Sequence, residues 1–319
     1  MNKILSLVGF ILLTVSSVSI AQEKVDETLS TSPGARVLID NMRGKVELIT
    51  HDKDEIRVVG TLDEKTERFI FEQRGNGIQI KVETPQEKGF NFSSDDEGSD
   101  LKIYLPDSMD IKVNGVSMEV TAEGFNGGLE IRLVSGDITV NKIDNRVLLK
   151  TVSGNIEAEK ISGDVRFETV SGDIKDIDNS ADSATYQSVS GDITSQSDSI
   201  SEFTAQSVSG DISAKVGTLT KAKMTTVSGD AILTAGLSGS ARIETNSVSG
   251  DLTFKWVGDI HADFNIKSNA GGEITNRLSD EKATEAEWGP SSKLEFTVGD
   301  GGASVSATTV SGEITLDKN

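Results

Sequence analysis

The sequence predicts an all-β protein, a right-handed single-stranded β-solenoid (β-helix) with an N-terminal β-strand capping region. Three observations predict it. A phrase of the form (Ser/Thr)-Val-Ser-Gly-Asp-Ile recurs at a spacing close to 19 residues. Between copies, apolar and polar residues alternate with period two, as in "LEIRLVSGDITV" and "VRFETVSGDI", the pattern of strands with one buried face. Each period also carries a glycine at the same place, the mark of a corner. One period cannot bury its own apolar face, so the periods must stack as rungs.

Ser-Gly pairs preceded by Val or Ile begin at Ser135, Ser153, Ser162, Ser171, Ser190, Ser209, Ser228, Ser249 and Ser311. The gaps are 18 residues with a half-step at Ser162, then 19, 19, 19 and 21; "NAGGEI" at 269–274 is a degenerate copy, and "TVSGEI" follows at 309–314. Gly136, Gly154, Gly172, Gly191, Gly210, Gly229, Gly250 and Gly312 are read as structural turn residues that need a permissive backbone. Val134, Val152, Val170, Val189, Val208, Val227, Val248 and Val310, two residues before them, are expected to point into a shared aliphatic column, with Ile161 in the same place before Gly163. Ile138, Ile156, Ile174, Ile193, Ile212, Leu252 and Ile314, two residues after, join them there, as does Val165 after Gly163, while Ser and Asp face water. Tyr186, Ala205, Met224 and Ile243 form a third expected column, fourteen residues after the glycine. Rungs roughly 4.8 Å apart give a rod of roughly 40 Å for the eight or nine periods between Ser135 and Asn319. The right-handed coil follows from the general preference of parallel β connections.

The flanking segments follow in order. Residues 1–21 read as a secretory signal peptide for the Sec route: Lys3, an apolar run from Ile4 to Val15, then the small-residue site Ser19-Ile20-Ala21. Residues 22–106 form an N-terminal β-strand region, a cap or irregular first rungs, in which Gly44 plays the part of the later corner glycines. The stretch at 86–100, "QEKGFNFSSDDEGSD", has no periodicity and reads as an acidic loop. Residues 107–319 are the solenoid repeat region. Its insert at 276–290 reads as a loop or short helix between two rungs, ended by Gly289-Pro290.

Composition narrows the function. The net charge of -20 disfavours nucleic acid and anionic membrane surfaces as partners. Without cysteine the chain makes no disulfide, thiolate metal site or lipidated N-terminal cysteine. No apolar run after the signal reaches spanning length, so no membrane insertion is expected after cleavage.

Recurrent "TVSGDI" and "SVSGDI", with "VLIDNMRGKVEL" and "LKIYLPDS" before them, resemble the bacterial "putative adhesin" family of secreted β-strand-repeat proteins. The resemblance covers residues 35–319. It implies the architecture and an exported protein, and supplies no catalytic residues.

A calcium ladder of Asp173, Asp192, Asp211, Asp230 and Asp251 is the near alternative. Stacked carboxylates about 4.8 Å apart repel by about 1 kcal/mol in water, which a hard cation would relieve. Against it, each corner has one glycine and one acid, and Asn155 replaces Asp without charge, which suits a turn residue better. A polysaccharide-active β-helix enzyme is the distant alternative. An acid at nearly every corner singles out no site, His51 and His261 read as surface or packing residues, and the serines have no base. "VGDGGASVS" at 298–306 lacks the following helix of a phosphate cradle. Trp256 is read as packing. No catalytic, cofactor or metal site is therefore assigned. The reading is a non-enzymatic cell-envelope solenoid, periplasmic or at the surface, binding an envelope protein or glycan. Its thinly protected "EITLDKN" end invites self-association through the solenoid ends.

Overall fold

The computed structural model describes residues 22–85 and 97–319. The expected signal peptide and most of the acidic loop at 86–100 lie outside the described residues. Strands are the only regular structure among the described residues, and they form two walls facing each other across one apolar core.

A typical rung uses one strand in each wall, joined at the Ser-Gly corner. Successive rungs are β8 (Leu129–Ser135) with β9 (Ile138–Asp144), β10 (Val147–Lys150) with β11 (Ile156–Ser162), β12 (Asp164–Glu168) with β13 (Ile174–Ile177), and β14 (Ser183–Gln187) with β15 (Ile193–Ser197). Next come β16 (Glu202–Gln206), β17 (Ile212–Thr225), β18 (Ala231–Asn246) and β19 (Leu252–Trp256). There β17 and β18 each continue round the opposite arc, so that each serves both walls. All these neighbours pair parallel, and in register except at the far arc of β17 on β18, with Ile156 between Ile138 and Ile174, and Ile193 between Ile174 and Ile212. The alternation of β-branched and polar residues therefore stacks into inward aliphatic columns and outward polar rows.

One expected column is corrected. Tyr186 aligns with Phe167, Ala205 and Met224, but Met224 pairs with Thr245, and Ile243 pairs with Ala222. The 21-residue period places its extra residues at the far arc, where β17 and β18 show register shifts. Counting fourteen residues forward from Gly229 crosses that irregularity.

At the N-terminal end, β2 (Arg36–His51) bends through both walls and pairs along its length with β7 (Asp110–Glu123). Its other edge is covered by β5 (Gly77–Glu83) in one wall and β6 (Ser99–Pro106) in the other. Antiparallel strands finish both walls: β4 (Arg68–Arg74) on β5, then β3 (Glu55–Thr61) on β6 and β1 (Lys24–Ser30) on β3. A buried Arg43–Asp63 ion pair, with Arg43 Nη2 2.8 Å from Asp63 Oδ1, fastens this region under the first corner. Asp63 N–H donates to Ser99 Oγ, which donates to Asn41 Oδ1.

The C-terminal end departs from sequence order. The rung of β20 (Ala262–Ser268) and β21 (Ile274–Asn276) does not pack on β18 and β19. Instead β24 (Ala303–Thr309) lies between β18 and β20, and β25 (Ile314–Lys318) lies between β19 and β21. The last rung is threaded into the stack. This corrects the expectation of a thinly protected C-terminal strand, because both edges of "ITLDK" are hydrogen-bonded. The insert at 276–290 holds no helix; β22 (Thr284–Glu285) pairs antiparallel with β23 (Ser292–Val298), which closes the wall on β20. Phe254, Trp256, Phe264 and Phe296 fill the core here, with Trp256 fully buried and Phe264 stacked on Phe296 at 4.7 Å.

Candidate functional site

The repeated corners form one edge of the rod, and every position in the phrase has a separate task. The Ser or Thr three residues before the glycine is buried, and its hydroxyl accepts the glycine N–H. Ser188 does so for Gly191, Ser207 for Gly210, Thr226 for Gly229, Ser247 for Gly250 and Thr309 for Gly312, at 2.9–3.1 Å. This closes the turn locally.

The glycines answer to a different constraint from the one expected. Gly44 and Gly136, at the first corners, have positive φ, at 107° and 117°, but none of Gly154, Gly172, Gly191, Gly210, Gly229, Gly250 and Gly312 does. From Gly154 onward each corner glycine lies under the carbonyl of the corner before it. A Cβ on Gly154, Gly172, Gly191, Gly210, Gly229, Gly250 or Gly312 would stand 1.8–2.1 Å from the preceding glycine's oxygen. Close rung-to-rung approach excludes a side chain there.

The carboxylates run as a row, and each is used by the next rung. Asp137 Oδ1 accepts from Asn155 N–H, Asn155 Oδ1 from Asp173, Asp173 from Asp192, Asp192 from Asp211, Asp211 from Asp230, Asp230 from Asp251, and Asp251 from Glu313, at 2.7–3.0 Å. Asp164 is not in the row; it opens β12 at the opposite side. Among the described residues, no group of three or more His, Cys, Asp or Glu converges as metal ligands do.

The valines overturn the expected burial. Val134, Val152, Val170, Val189, Val208, Val227, Val248 and Val310 point outward and are 39–49% exposed. Met42 and Val116 hold the corresponding place in the rungs before Val134, between the paired residues Asn41–Gly115–Leu133 and Arg43–Ser117–Ser135. The corner turns the chain so that Val and Ser both face solvent, and alternation resumes only at the Ile, which is buried.

Charge is distributed unevenly. On the walls, carboxylates meet cations of neighbouring strands: Glu119 with Lys45, Glu47 with Lys102, Glu130 with Lys112, Glu168 with Lys150, at 2.6–2.9 Å, and Glu130 also meets Arg132 of its own strand at 2.7 Å. Lys112 beside Glu130 holds that carboxyl below its usual range. Among the described residues, the corner aspartates have no ion-pair partner. Neither histidine joins the row: His51 Nε2 donates to Glu55 O at 2.8 Å, and His261 Nδ1 accepts Asp300 N–H at 3.2 Å.

One polar group inside the rod escaped the sequence reading. Asp176 on β13 is fully buried between Ala158 and Ser195 of the adjacent rungs. Its Oδ2 accepts from Tyr186 Oη and from Asn179 Nδ2, the latter at 2.6 Å, while Oδ1 has no hydrogen bond. Burial pushes its carboxyl up to about 6 and holds the Tyr186 phenol well above its ordinary value. The signal was available in "DIKDID", where Asp176 falls on the inward phase set by Ile174.

The Toastrack DUF4097 family profile matches residues 35–284. The chain belongs to that family. No curated protein matches the sequence. Among solved structures, the Toastrack chain is similar to a "putative lipid binding protein" from Parabacteroides distasonis, at 15% identity and TM-score 0.43, over 93% of this chain and 96% of that one. It is also similar to "putative adhesin" structures from Bacteroides fragilis, at 10% identity and TM-score 0.34 over 94% and 99%, and Parabacteroides merdae, at 10% and 0.34 over 93% and 96%. The Toastrack match stops at residue 284, inside the insert, so the threaded rung β24–β25 lies beyond it. The insert ends in a turn closed by Ala286 N–H to Ser291 O, with Trp288 at its tip, 89% exposed. A trough of about 630 Å³ lies alongside, lined by residues including Glu273, Asn276, Glu281 and Glu285.

Proposed function

We propose that this Toastrack chain is a non-enzymatic binding scaffold, exported by the Sec route to the periplasm or cell surface, that holds an envelope protein or glycan along its repeated corner edge. The observation that carries the reading is the repetition of one exposed Val-Ser-Gly-Asp surface on successive rungs. Such a surface offers many equal weak contacts, which sum through multivalency, and it sets no residue apart for chemistry. The N-terminal basic, apolar and small-residue succession supports export.

Two experiments test it. Incubation with a polysaccharide panel and product analysis should show retention without cleavage, and new chain ends would overturn the non-enzymatic reading. Fractionation of the native host should recover the processed chain outside the cytoplasm, and a cytoplasmic full-length chain would overturn export.

A further inference from the structure

The corner edge carries two rows side by side, one apolar and one anionic, and each lacks something. The valine row from Val134 to Val310 spans eight adjacent rungs, which at about 4.8 Å per rung is about 34 Å of continuous exposed aliphatic surface. Extended apolar surface of this kind marks an interaction site rather than ordinary exposure. Beside it, Asp137, Asp173, Asp192, Asp211, Asp230 and Asp251 spend Oδ1 on the next rung's N–H and have no cationic partner among the described residues. On the walls of the same molecule Glu119, Glu47, Glu130 and Glu168 are each paired with a lysine of the neighbouring strand, whereas none of these corner aspartates is paired.

We propose that this edge docks a basic amphipathic α-helix, a partner whose apolar stripe covers the valines and whose Lys or Arg residues lie along the aspartates. The proposal rests on the reading of the edge as the binding surface and names its occupant by charge complementarity. A second copy of this chain would bring its own aspartate row and a like net charge of -20 to the contact. A metal ion would neutralise the acids and leave the valines exposed. Pitch selects the helix over a strand. Same-face side chains on a helix recur about every 5.4 Å, within about 0.6 Å of the rung spacing. On a strand they recur about every 6.6–6.8 Å, about 1.9 Å out at each step, and lose register within two or three rungs.

The test uses the mature chain and four synthetic probes of equal length: an amphipathic Leu/Lys helix, the same composition in strand-like alternation, an amphipathic Leu/Glu helix, and oligolysine. Two variants accompany them. Val189→Ser with Val208→Ser and Val227→Ser removes the centre of the apolar row. Asp192→Asn with Asp211→Asn and Asp230→Asn removes charge but keeps the Oδ1 acceptor, as Asn155 already does. The helical Leu/Lys peptide should bind tightest, gain helical circular dichroism on binding, and weaken ~10-fold or more with each triple variant, both variants retaining the parent melting profile. Equal binding by oligolysine or by the alternating peptide overturns the proposal, as does helix binding that neither variant changes. Self-association abolished by the valine variant would instead name a second copy as occupant. Glycan binding lost in the variants would overturn the helix while keeping the edge as the binding surface. If no probe and no glycan responds to either variant, the edge reading itself fails.

Discussion

Substituting Asp176 by asparagine tests the reading of the buried polar cluster. The carboxyl is fully buried on β13, and burial raises it from 3.8 to about 6 against the opposing hydrogen bonds of Tyr186 and Asn179. A group whose folded-state value exceeds its unfolded value keeps its proton longer in the folded chain. Between about pH 4 and pH 6 the unfolded chain thus gives up a proton that the folded chain retains. The contribution of Asp176 to stability is therefore largest in acid and falls as pH rises through 6, then levels off. A difference of about two pH units corresponds to about 3 kcal/mol, an upper bound because water and small rearrangements relieve buried charge. An asparagine at this position has no charge to lose. Its amide oxygen can accept from Tyr186 and Asn179, and its amide nitrogen takes the position of the unpartnered Oδ1. D176N should be about 1–3 kcal/mol more stable than the parent at pH 8, and closer to it at pH 4.5. Urea unfolding of both proteins at pH 4.5, 6 and 8 reads this as a stability difference that grows with pH, so the titration of all other carboxylates cancels. A constant difference across that range, or a variant that loses most at pH 8, would show that Asp176 is not a carboxyl held protonated by burial.

The corner glycines predict contrasting outcomes. Gly191→Ala, whose Cβ would stand 1.8 Å from Gly172 O, should cost about 1–3 kcal/mol or more, whereas Gly239→Ala, with nothing within 4 Å, should leave the melting temperature unchanged. Deleting residues 303–319 removes a rung from within the stack rather than from its end, separating β18–β19 from β20–β21; hydrogen exchange should show lost protection in β20, and retained protection there would contradict the threaded order. Asp63→Ala removes the carboxylate from buried Arg43 and should cost about 3–5 kcal/mol in denaturant unfolding. Millimolar calcium should leave the melting temperature unshifted, because each corner Oδ1 already serves a backbone N–H; a rise of several degrees would restore the calcium ladder.

The legible part of this protein was whatever repeats locally. Alternation in "GDIT" and "LEIRL" marks Ile138, Leu129 and Ile131 as inward, and the structure buries all three. The corner valines depart from expectation for a definable reason. Val and Ile are chemically alike, and alternation fixes facing only while the chain stays extended. At Thr-Val-Ser-Gly the strand turns, two consecutive side chains face water, and the inward phase resumes at the buried Ile. Ile243 leaves its expected column by the same mechanism at the far arc, where the longer period absorbs its extra residues.

The aspartates and glycines are recognisable as structural, but their partners are not visible in the sequence. Asp192 serves the N–H of Asp211, nineteen residues on, and Gly191 yields to the carbonyl of Gly172, nineteen residues back. Both relations exist only between stacked rungs. The order of stacking was beyond reach altogether, since "TVSGEI" at 309–314 carries the same phrase as its neighbours and could pair with any of them.

The β-solenoid is written into the chain, because an inward phase of period two repeated near nineteen residues buries its apolar face by stacking rung on rung, and the period is too short for a propeller blade. Which rung lies beside which, and which member of each corner faces water, come from packing in three dimensions. Those outcomes depend on the approach of one backbone to the next at about 4.8 Å, a distance that joins residues one full rung apart and that no local pattern records.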